Sequence, residues 1–484
     1  MVVNQFVTFG PNYFVVMEEG KKLSTQEKAL RINLSRTIYG SFAEIGAGQE
    51  VAANFFKVGG ASGTVAKTIS AYDMKFSDAI YGQCERYVCE DRLLQMLDHE
   101  YHLLPERLPD RAPETRFFAF ADTVEALNYE RTNQGQGWLG LRFQLHPETA
   151  PNELVIHVKL HDNDALQQQI AVGILGVNIL YGALFLKNPQ SIILSLLDGL
   201  NSRRVEVDMF RITGPDYQQS DNRLLALQLV KNGLTKAAMF GPDGTVLQPS
   251  EALYKKNVLV IRGRFRPPTL VNMDMLHSGM EQFARDPEID REKMLTLCEL
   301  TLRDLSADGS IDENDFLHRA EILCSLGQTV LISNYVEYHR LAEYLIKLTR
   351  GRKIGLVLGI YGLQSLFEEK NYENLKGGIL ESFAALFGSK TKLFIYPSLR
   401  RNGEGLFTLN DFSSTVPPNL SGLFRFLLEN HKVEDMSEFH RDHLHIISDE
   451  VLEMIRNGKQ GWEEMVPGVV SKAIKGKTLF GYKA

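Results

Sequence analysis

The feature that most constrains the fold is a series of three continuous apolar runs in the C-terminal half of the chain. The runs are TVLISN at 329–334, KIGLVLGI at 353–360 and TKLFIYP at 391–397. Segments with apolar residues at helical spacing separate them. Strands that are apolar along their whole length are typical of parallel sheets, because helices cover both faces of such sheets. The order of strands and helices therefore predicts a C-terminal parallel sheet with helices on both faces.

The length of the chain, 484 residues, predicts two or three domains at about 150 residues each. We expect a mostly helical region with Gly-rich turns at 1–115 and an α/β domain with a mixed sheet at 116–266. The C-terminal α/β domain follows at 269–484, after the linker Arg266-Pro267-Pro268, in which two prolines fix an extended backbone. The predicted fold class is thus α/β, with several domains.

Charge and apolar patterning exclude several classes of protein. The net charge is -7, and no run of five Lys or Arg provides the basic patch that nucleic acids or membrane surfaces require. The segment from Ile170 to Leu186 is apolar but contains glycines and Asn178, so we expect a buried helix rather than a membrane span. The first residues lack a basic leader, and the 4 cysteines are too few for a disulfide scaffold. We therefore predict a cytoplasmic protein with reduced thiols that binds neither nucleic acid nor membrane.

A Gly-rich segment at 59–68 is the first candidate site. Backbone N–H groups of a Gly-rich turn that opens a helix bind phosphate or carboxylate, and hydroxyls and a Lys ammonium strengthen such binding. The candidate cofactor-binding residues are Gly59, Gly60, Ser62, Gly63, Thr64, Lys67 and Thr68. The segment resembles the phosphate loop of nucleotide hydrolases, but Ala66 stands where that motif has Gly. The alternative is a tight turn between two closely packed helices.

A second motif, Glu44-Ile45-Gly46-Ala47-Gly48 followed by Gln49-Glu50, resembles the opening turn of nucleoside-binding methyltransferases. That turn joins a strand to a helix and carries GxGxG after an acidic residue. Glu50 replaces the third Gly, and no acidic residue at the expected second strand end is apparent. Methyltransferase-like nucleoside binding is therefore a minor alternative.

A third motif at 304–315 resembles the twelve-residue calcium loop of EF-hands. Alternate side chains of such a loop converge on one hard cation, Ca²⁺ or Mg²⁺. The candidate ligands are Asp304, Ser306, Asp308, Ser310, Asp312 and Asp315. We expect a helix on each side of the loop, at KMLTLCELTLR and at FLHRAEILCSL. Asp replaces the long bidentate Glu at the last position, so the alternative is an acidic, solvated turn.

Histidines and strand-end acids give weaker indications. His440, His443 and His445 lie close together in the sequence, as do His157 and His161, but their spacings match no zinc motif. Asp122, Asp208 and Asp243 stand near predicted strand ends, where carboxylates can hold magnesium. Polar sheet faces and a turn explain these residues equally well.

The chain as a whole resembles a family of bacterial cytosolic proteins of similar length. The resemblance depends chiefly on IYGSFAEIGAGQEVA at 38–52, FKVGGASGTVAKTISAYDMKFSDAIYG at 56–82 and DNRLLALQLVKNGLTKAAMF at 221–240. Members are labelled either nicotinate- or nicotinamide-mononucleotide adenylyltransferase or TonB-dependent receptor. The receptor label is excluded here, since no alternating barrel strands are apparent. The adenylyltransferases carry an HxGH turn, which this sequence lacks. Of their second motif, a Ser/Thr-rich segment, only the fragment Ile447-Ser448-Asp449-Glu450 is similar.

Two functions follow from these residues. The first is a transferase-like enzyme that handles a nucleotide or a phosphorylated metabolite, with a divalent cation as its cofactor. The second is a non-catalytic scaffold or regulatory protein that forms homo-oligomers, since no complete catalytic motif is present. The sequence leaves open whether the protein is an enzyme.

Overall fold

A computed structural model describes residues 8–9, 13–14, 22–306, 309–388, 390–400 and 405–483. The chain forms two compact units, Met1–Thr235 and Lys236–Ala484. The sequence predicts boundaries near residues 115 and 267, whereas the structure divides the chain between Thr235 and Lys236. Residues before and after position 115 belong to one sheet, because the strand that ends at Ile45 pairs with the strand that begins at Arg116.

Unit 1 is built on a six-stranded sheet in the order β4-β3-β5-β6-β7-β8, and a separate pair is formed by β1 and β2. The strands are β1 Thr8–Phe9, β2 Tyr13–Phe14, β3 Ile38–Ile45, β4 Val65–Ile69, β5 Arg116–Glu125, β6 Gly135–Phe143, β7 Asn152–Leu160 and β8 Val205–Thr213. β3 runs parallel to both β4 and β5, whereas β5 to β8 form an antiparallel meander. Unit 1 thus carries the mixed sheet that the sequence predicts for the central region.

Helices cover both faces of the unit 1 sheet. They are α1 Thr25–Asn33, α2 Glu50–Lys57, α3 Met74–Tyr81, α4 Glu90–Arg107, α5 Ala165–Tyr181, α6 Pro189–Ser195 and α7 Asn222–Lys231. Apolar residues of α1, α2 and α5 bury one face of the sheet, and α4 packs on the other face against β3, β5 and β6. Gly176 lets α2 and α5 approach closely, since a Cβ there would lie 2.4 Å from a methyl group of Val51.

The apolar segment predicted as a buried helix forms α5, which continues as a π-helical turn to Leu186. The helix at Ala165–Leu186 is long and apolar enough to cross a membrane, but 72% of its most apolar stretch is buried inside unit 1. Asn178 on this helix binds the Lys28 ammonium at 2.8 Å and donates to the carbonyl of Leu196. These contacts identify α5 as a core helix, as the sequence predicts.

Unit 2 contains an eight-stranded sheet in the order β10-β9-β13-β12-β11-β14-β15-β18. The strands of the unit are β9 Ala237–Phe240, β10 Val246–Leu247, β11 Asn257–Arg262, β12 Met294–Thr301, β13 Thr329–Ser333, β14 Ile354–Gly359, β15 Thr391–Tyr396, β16 Ser398–Leu399, β17 Leu406–Phe407 and β18 Val433–Asp435. Six adjacent strands of this sheet, β13, β12, β11, β14, β15 and β18, are mutually parallel, and β9 pairs antiparallel with β13 and with β10. β16 and β17 form a separate antiparallel pair. The parallel sheet predicted from the three apolar runs is confirmed.

The helices of unit 2 pack on both faces of this sheet. They are α8 Pro249–Ala252, α9 Leu270–Phe283, α10 Leu302–Leu305, α11 Glu313–Ser325, α12 Tyr338–Leu348, α13 Ile360–Leu366, α14 Gly378–Phe387, α15 Leu409–Ser413, α16 Ser421–Glu429, α17 Ser448–Arg456 and α18 Gly468–Lys477. α12, α13 and α14 share a core with Val260 and Leu356, whereas α9 packs against the neighbouring residues Leu259 and Val357 on the opposite face. The predicted α/β class is therefore confirmed.

Two predictions of secondary structure are wrong. The segment KMLTLCELTLR, expected as the helix before the EF-hand-like loop, forms strand β12. The segment after the Gly-rich turn, expected as a helix, forms strand β4. In both cases a partner strand distant in sequence decides the outcome, since β12 lies between β11 and β13 and β4 pairs with β3.

Candidate functional site

The strand order of unit 2 contains a topological switch point. From β11, the chain adds β12 and then β13 on one side, and afterwards β14, β15 and β18 on the other side. This is the 3-2-1-4-5-6 order of doubly wound nucleotide-binding sheets, in which ligands bind at the carboxyl ends of the strands where the order reverses. That position lies between the ends of β11 and β14, at Arg262 and Gly359. Space is open there, since a Cβ on Gly359 would meet nothing within 4 Å.

Three arginines gather after the end of β11. Arg266 pairs with Asp315 at 2.7 Å, and the same carboxylate pairs with Arg319. Arg319 also donates to the carbonyl of Arg264 at 3.1 Å, and Arg264 pairs with Asp449. Burial lowers the pKa of Arg319, Asp315 opposes this, and the positive charges of Arg266 and Arg264 lower it further. The guanidinium groups are therefore close enough to repel one another, and they attract anions.

The N-termini of two helices meet beside these arginines. Thr269 is the N-cap of α9 and is fully buried, and its hydroxyl lies 3.0 Å from Asn272 and 3.4 Å from the hydroxyl of Ser448. Ser448 is the first residue of α17, whose N-terminus has no side-chain cap. The first amides of a helix carry partial positive charge and bind anions. In α9 the Thr269–Asn272 capping box already uses part of this N-terminus, whereas α17 has no such side-chain cap. Hydroxyls, helix N-termini and guanidinium groups thus converge on one edge of the sheet.

A buried ion pair holds the end of β11 in place. Arg262 pairs with Glu299 of β12 at 2.7 Å, and the Ser333 hydroxyl of β13 donates to the same carboxylate at 2.6 Å. Arg262 also donates to the carbonyls of Tyr335 and Val336 and stacks on the ring of Tyr338. Since its donors are used within the protein, Arg262 positions the strand ends rather than binding a ligand.

A cavity of about 510 Å³ lies just after the end of β14. The rings of Tyr361 and Phe407 line it and stack on each other with centroids 5.6 Å apart. Arg400, which pairs with Asp411, lines it too. Aromatic faces beside a basic group are suited to a planar, negatively charged molecule. A molecule with a flat ring and phosphate groups therefore matches the chemistry of this edge.

The structure gives the Gly-rich segment a different context from the predicted one. Gly59 and Gly60 have positive φ and lead into a single 3-10 turn, after which β4 begins at Val65. The amides of Gly63 and Thr64 donate to the carbonyls of Gly60 and Ala61, and Lys67 pairs with the buried Glu100 at 2.6 Å. The helix N-terminus assumed for phosphate binding is therefore absent from this segment. Anion binding by Ser62 and Thr68 in this segment stays a prediction.

The second motif does form a strand-to-helix turn, between β3 and α2, with positive φ at Gly46 and Gly48. The Glu44 carboxylate accepts from the amides of Val51 and Ala52 at 3.0 and 2.9 Å. These are amides of the first turn of α2, so the protein itself already occupies part of the helix N-terminus. This arrangement does not favour a nucleoside site at this turn.

Asp122 of β5 lies in register beside Glu44. It is 1% exposed, and the backbone amide of Ile45 is within hydrogen-bond reach of its carboxylate. Burial raises the pKa of Asp122, and the neighbouring Glu44 adds to the increase. Burial likewise raises the pKa of Glu44, to about 7. The stability of unit 1 should therefore depend on pH through these two carboxyl groups.

The residues of the EF-hand-like loop have partners within the protein. Asp304 accepts from the Thr301 hydroxyl at 2.6 Å, Asp312 caps α11, and Asp315 pairs with two arginines. Ser306 donates to the carbonyl of Leu302, Ser310 lies in the bend before α11, and Asp308 lies outside the described residues. A strand and one helical turn precede the loop instead of a long helix. Cation binding by this loop stays a prediction.

The structure brings together residues that are far apart in the sequence. The buried Asp274 of α9 binds the ring of His440 at 2.6 Å, although 166 positions separate them, and His443 lies beside His440. Thr269 and Ser448 meet across 179 positions. The sequence signals only the histidine side of the first cluster, because contacts at this separation depend on the tertiary fold. His157 instead forms a buried pair with Asp208, far from any of these residues in the chain.

No protein-family model and no curated protein matches this chain. Among solved structures, it is similar to a competence/damage inducible protein CihA from Agrobacterium tumefaciens, with 19% identity over 33% of this chain and 97% of that chain, at a TM-score of 0.24. It is also similar to a putative nicotinate-nucleotide adenylyltransferase from Vibrio parahaemolyticus, with 14% identity over 47% of this chain and 97% of that chain, at a TM-score of 0.24. Likenesses this distant carry no argument about the function of the chain.

Proposed function

We propose that this cytoplasmic protein binds a nucleotide or a related phosphorylated metabolite at the carboxyl edge of the unit 2 sheet and acts on it as a transferase. The observation that carries the proposal is the convergence of Arg264, Arg266 and Arg319 with the N-termini of α9 and α17. This convergence lies at the reversal of strand order, where doubly wound sheets bind their ligands.

The chemistry of these groups fits a phosphate. Guanidinium groups and helix N-termini stabilise the charge that builds up on phosphoryl oxygens during transfer, and they need no rearrangement at that moment. Arg264 is the best-placed ligand contact, since its side chain is 33% exposed and its partner Asp449 is 70% exposed. A phosphate could take the place of Asp449, whereas Arg319 is held by Asp315.

A thermal-shift panel of nucleotides and phosphorylated sugars tests the proposal. A ligand at a hundred times its Kd should stabilise the wild type by about 2.7 kcal/mol. Arg264→Ala should weaken that stabilisation, whereas Arg340→Ala should not, because Arg340 is an exposed residue of α12 that pairs with its neighbour Glu343. If no compound stabilises the wild type, or if both variants respond equally, the proposal is wrong. Lys67→Ala in the same panel tests the Gly-rich segment of unit 1.

A second candidate function is self-association as a scaffold. One observation favours it: Tyr72, Met74 and Phe76 are 75%, 58% and 59% exposed within one short segment of unit 1. Apolar side chains exposed together mark surfaces that bind other proteins. Light scattering of the wild type and of Phe76→Lys tests this function. A monomeric wild type at micromolar concentration would contradict it.

A further inference from the structure

We propose that Asp274, His440 and His443 form a binding site for a divalent transition metal ion, of which Zn²⁺ is the natural probe. One ligand atom from each of the three side chains lies within 4.8 Å of the other two. The residues come from α9 and from the 3-10 turn at Arg441–His443 with the residue before it. The site is independent of the nucleotide proposal, since it uses none of the arginines.

Asp274 is held in position from several sides. Its side chain is 2% exposed, and it accepts from the Tyr396 hydroxyl and from the backbone amide of His440, the latter at 2.8 Å. Tyr396 is the last residue of β15, so the carboxylate is anchored to the sheet. A ligand that the fold orients before the ion arrives loses little conformational entropy on binding.

The two imidazoles supply the ligands that favour transition metals. Nδ1 of His440 lies 2.6 Å from Oδ1 of Asp274, and the rings of His440 and His443 stack with centroids 5.1 Å apart. An ion between these groups would replace the proton that now joins His440 to Asp274, so binding releases that proton. The His440 side chain is 68% exposed and has room to turn as the pair opens.

His443 provides a separate indication of a missing ligand. Its Nδ1 is buried, and it has no hydrogen-bond partner among the described atoms. Buried polar atoms without partners are rare, and an ion absent from the structure is one explanation. An Asp–His hydrogen bond alone would account for His440, but it would leave this nitrogen unexplained.

The donor set selects the class of ion. Two imidazoles with one carboxylate suit zinc and related transition metals, whereas Ca²⁺ and Mg²⁺ prefer sites built from oxygen. Three protein ligands leave a fourth position free for water or substrate. A cavity of about 400 Å³ adjoins His440 and is also lined by His277 and Glu281.

Calorimetric titration of the metal-stripped full chain with Zn²⁺ tests the site. The wild type should bind one ion per chain, and His443→Ala should weaken binding at least about tenfold. Asp274→Asn, which keeps the shape of the side chain, should weaken it as well. The matched control is His445→Ala, since His445 is exposed and stands two positions from His443.

Circular dichroism melts of each variant establish that a loss of binding does not reflect unfolding. Titration with Co²⁺ adds a spectroscopic readout, because a site with nitrogen and oxygen ligands gives visible absorption bands that the variants should lose. The proposal is overturned if the wild type binds no Zn²⁺ at one ion per chain. It is equally overturned if folded His443→Ala binds as tightly as His445→Ala.

Discussion

Asp315 distinguishes the arginine cluster from a calcium loop. In the structure its carboxylate is the shared partner of Arg266 and Arg319, and the Arg319 side chain is only 2% exposed. In the EF-hand interpretation the same carboxylate is the last ligand of a calcium ion. Asp315→Asn keeps the size of the side chain and removes its charge, so the two roles predict different results.

The expected loss of stability follows from the burial of Arg319. Removing one partner of a buried ion pair leaves an uncompensated charge and costs about 3–5 kcal/mol. For a unit of this size, each kcal/mol lowers the Tm by about 2–4 °C. We therefore expect the Tm of Asp315→Asn to lie about 6–20 °C below that of the wild type, with or without Ca²⁺. Phosphate or sulfate should recover part of the loss, because an anion replaces the missing negative charge.

Thermal melts give the difference in Tm, and urea titrations give the difference in free energy of unfolding; both are followed by circular dichroism in buffers with Ca²⁺, with chelator and with phosphate. Arg303→Ala provides a control nearby, since Arg303 lies in α10 and outside the ion pairs of the cluster. The reasoning is refuted if Ca²⁺ stabilises the wild type and Asp315→Asn abolishes that effect. It is also refuted if Asp315→Asn is as stable as the wild type.

Three further predictions concern the supporting structure. Asp122→Asn should gain stability relative to the wild type as pH rises from 5 to 8.5, measured by urea titration. Burial raises the pKa of Asp122, so the folded wild type keeps a proton that the unfolded chain releases and loses stability as pH rises; the variant lacks this group. A pH-independent difference would contradict this. Glu299→Gln should lower the free energy of unfolding by about 3–5 kcal/mol, because the buried Arg262 loses its charged partner. An unchanged denaturant midpoint would contradict a stabilising role for this ion pair. Gly176→Leu should destabilise unit 1 by about 1–3 kcal/mol and lower its Tm, because the new side chain overlaps Val51. An unchanged Tm would contradict the close approach of α2 and α5.

The sequence predicts the parallel sheet of unit 2 well, because TVLISN, KIGLVLGI and TKLFIYP are apolar throughout and become β13, β14 and β15. It fails at β12, where Glu299 and Thr301 interrupt the apolar pattern and leave a spacing that also fits a helix. The buried Glu299 is tolerated only because Arg262 and Ser333 from the adjacent strands satisfy it. Local pattern cannot reveal such partners before the strand order is known.

The candidate site was predicted less well than the fold. The Gly-rich segment was the strongest local signal, yet its helix N-terminus is absent because β3 recruits the following residues as β4. The arginine cluster follows a linker that the sequence marks only by two prolines, and its Ser448 and Asp449 arrive from the far end of the chain. Convergence of distant residues at a sheet edge follows from strand order rather than from any local motif.

The most direct test of a ligand site at the switch point is to fill it. Gly359→Leu places a side chain where the structure has open space, at a residue whose φ of -71° any amino acid adopts, and Gly422→Leu does the same on an exposed face of α16. In calorimetric titrations with the compound that most stabilises the wild type, Gly359→Leu should bind at least about tenfold more weakly at unchanged Tm, since the leucine occupies the ligand's volume. Gly422→Leu should bind like the wild type. Equal binding by both folded variants would contradict a ligand site between β11 and β14.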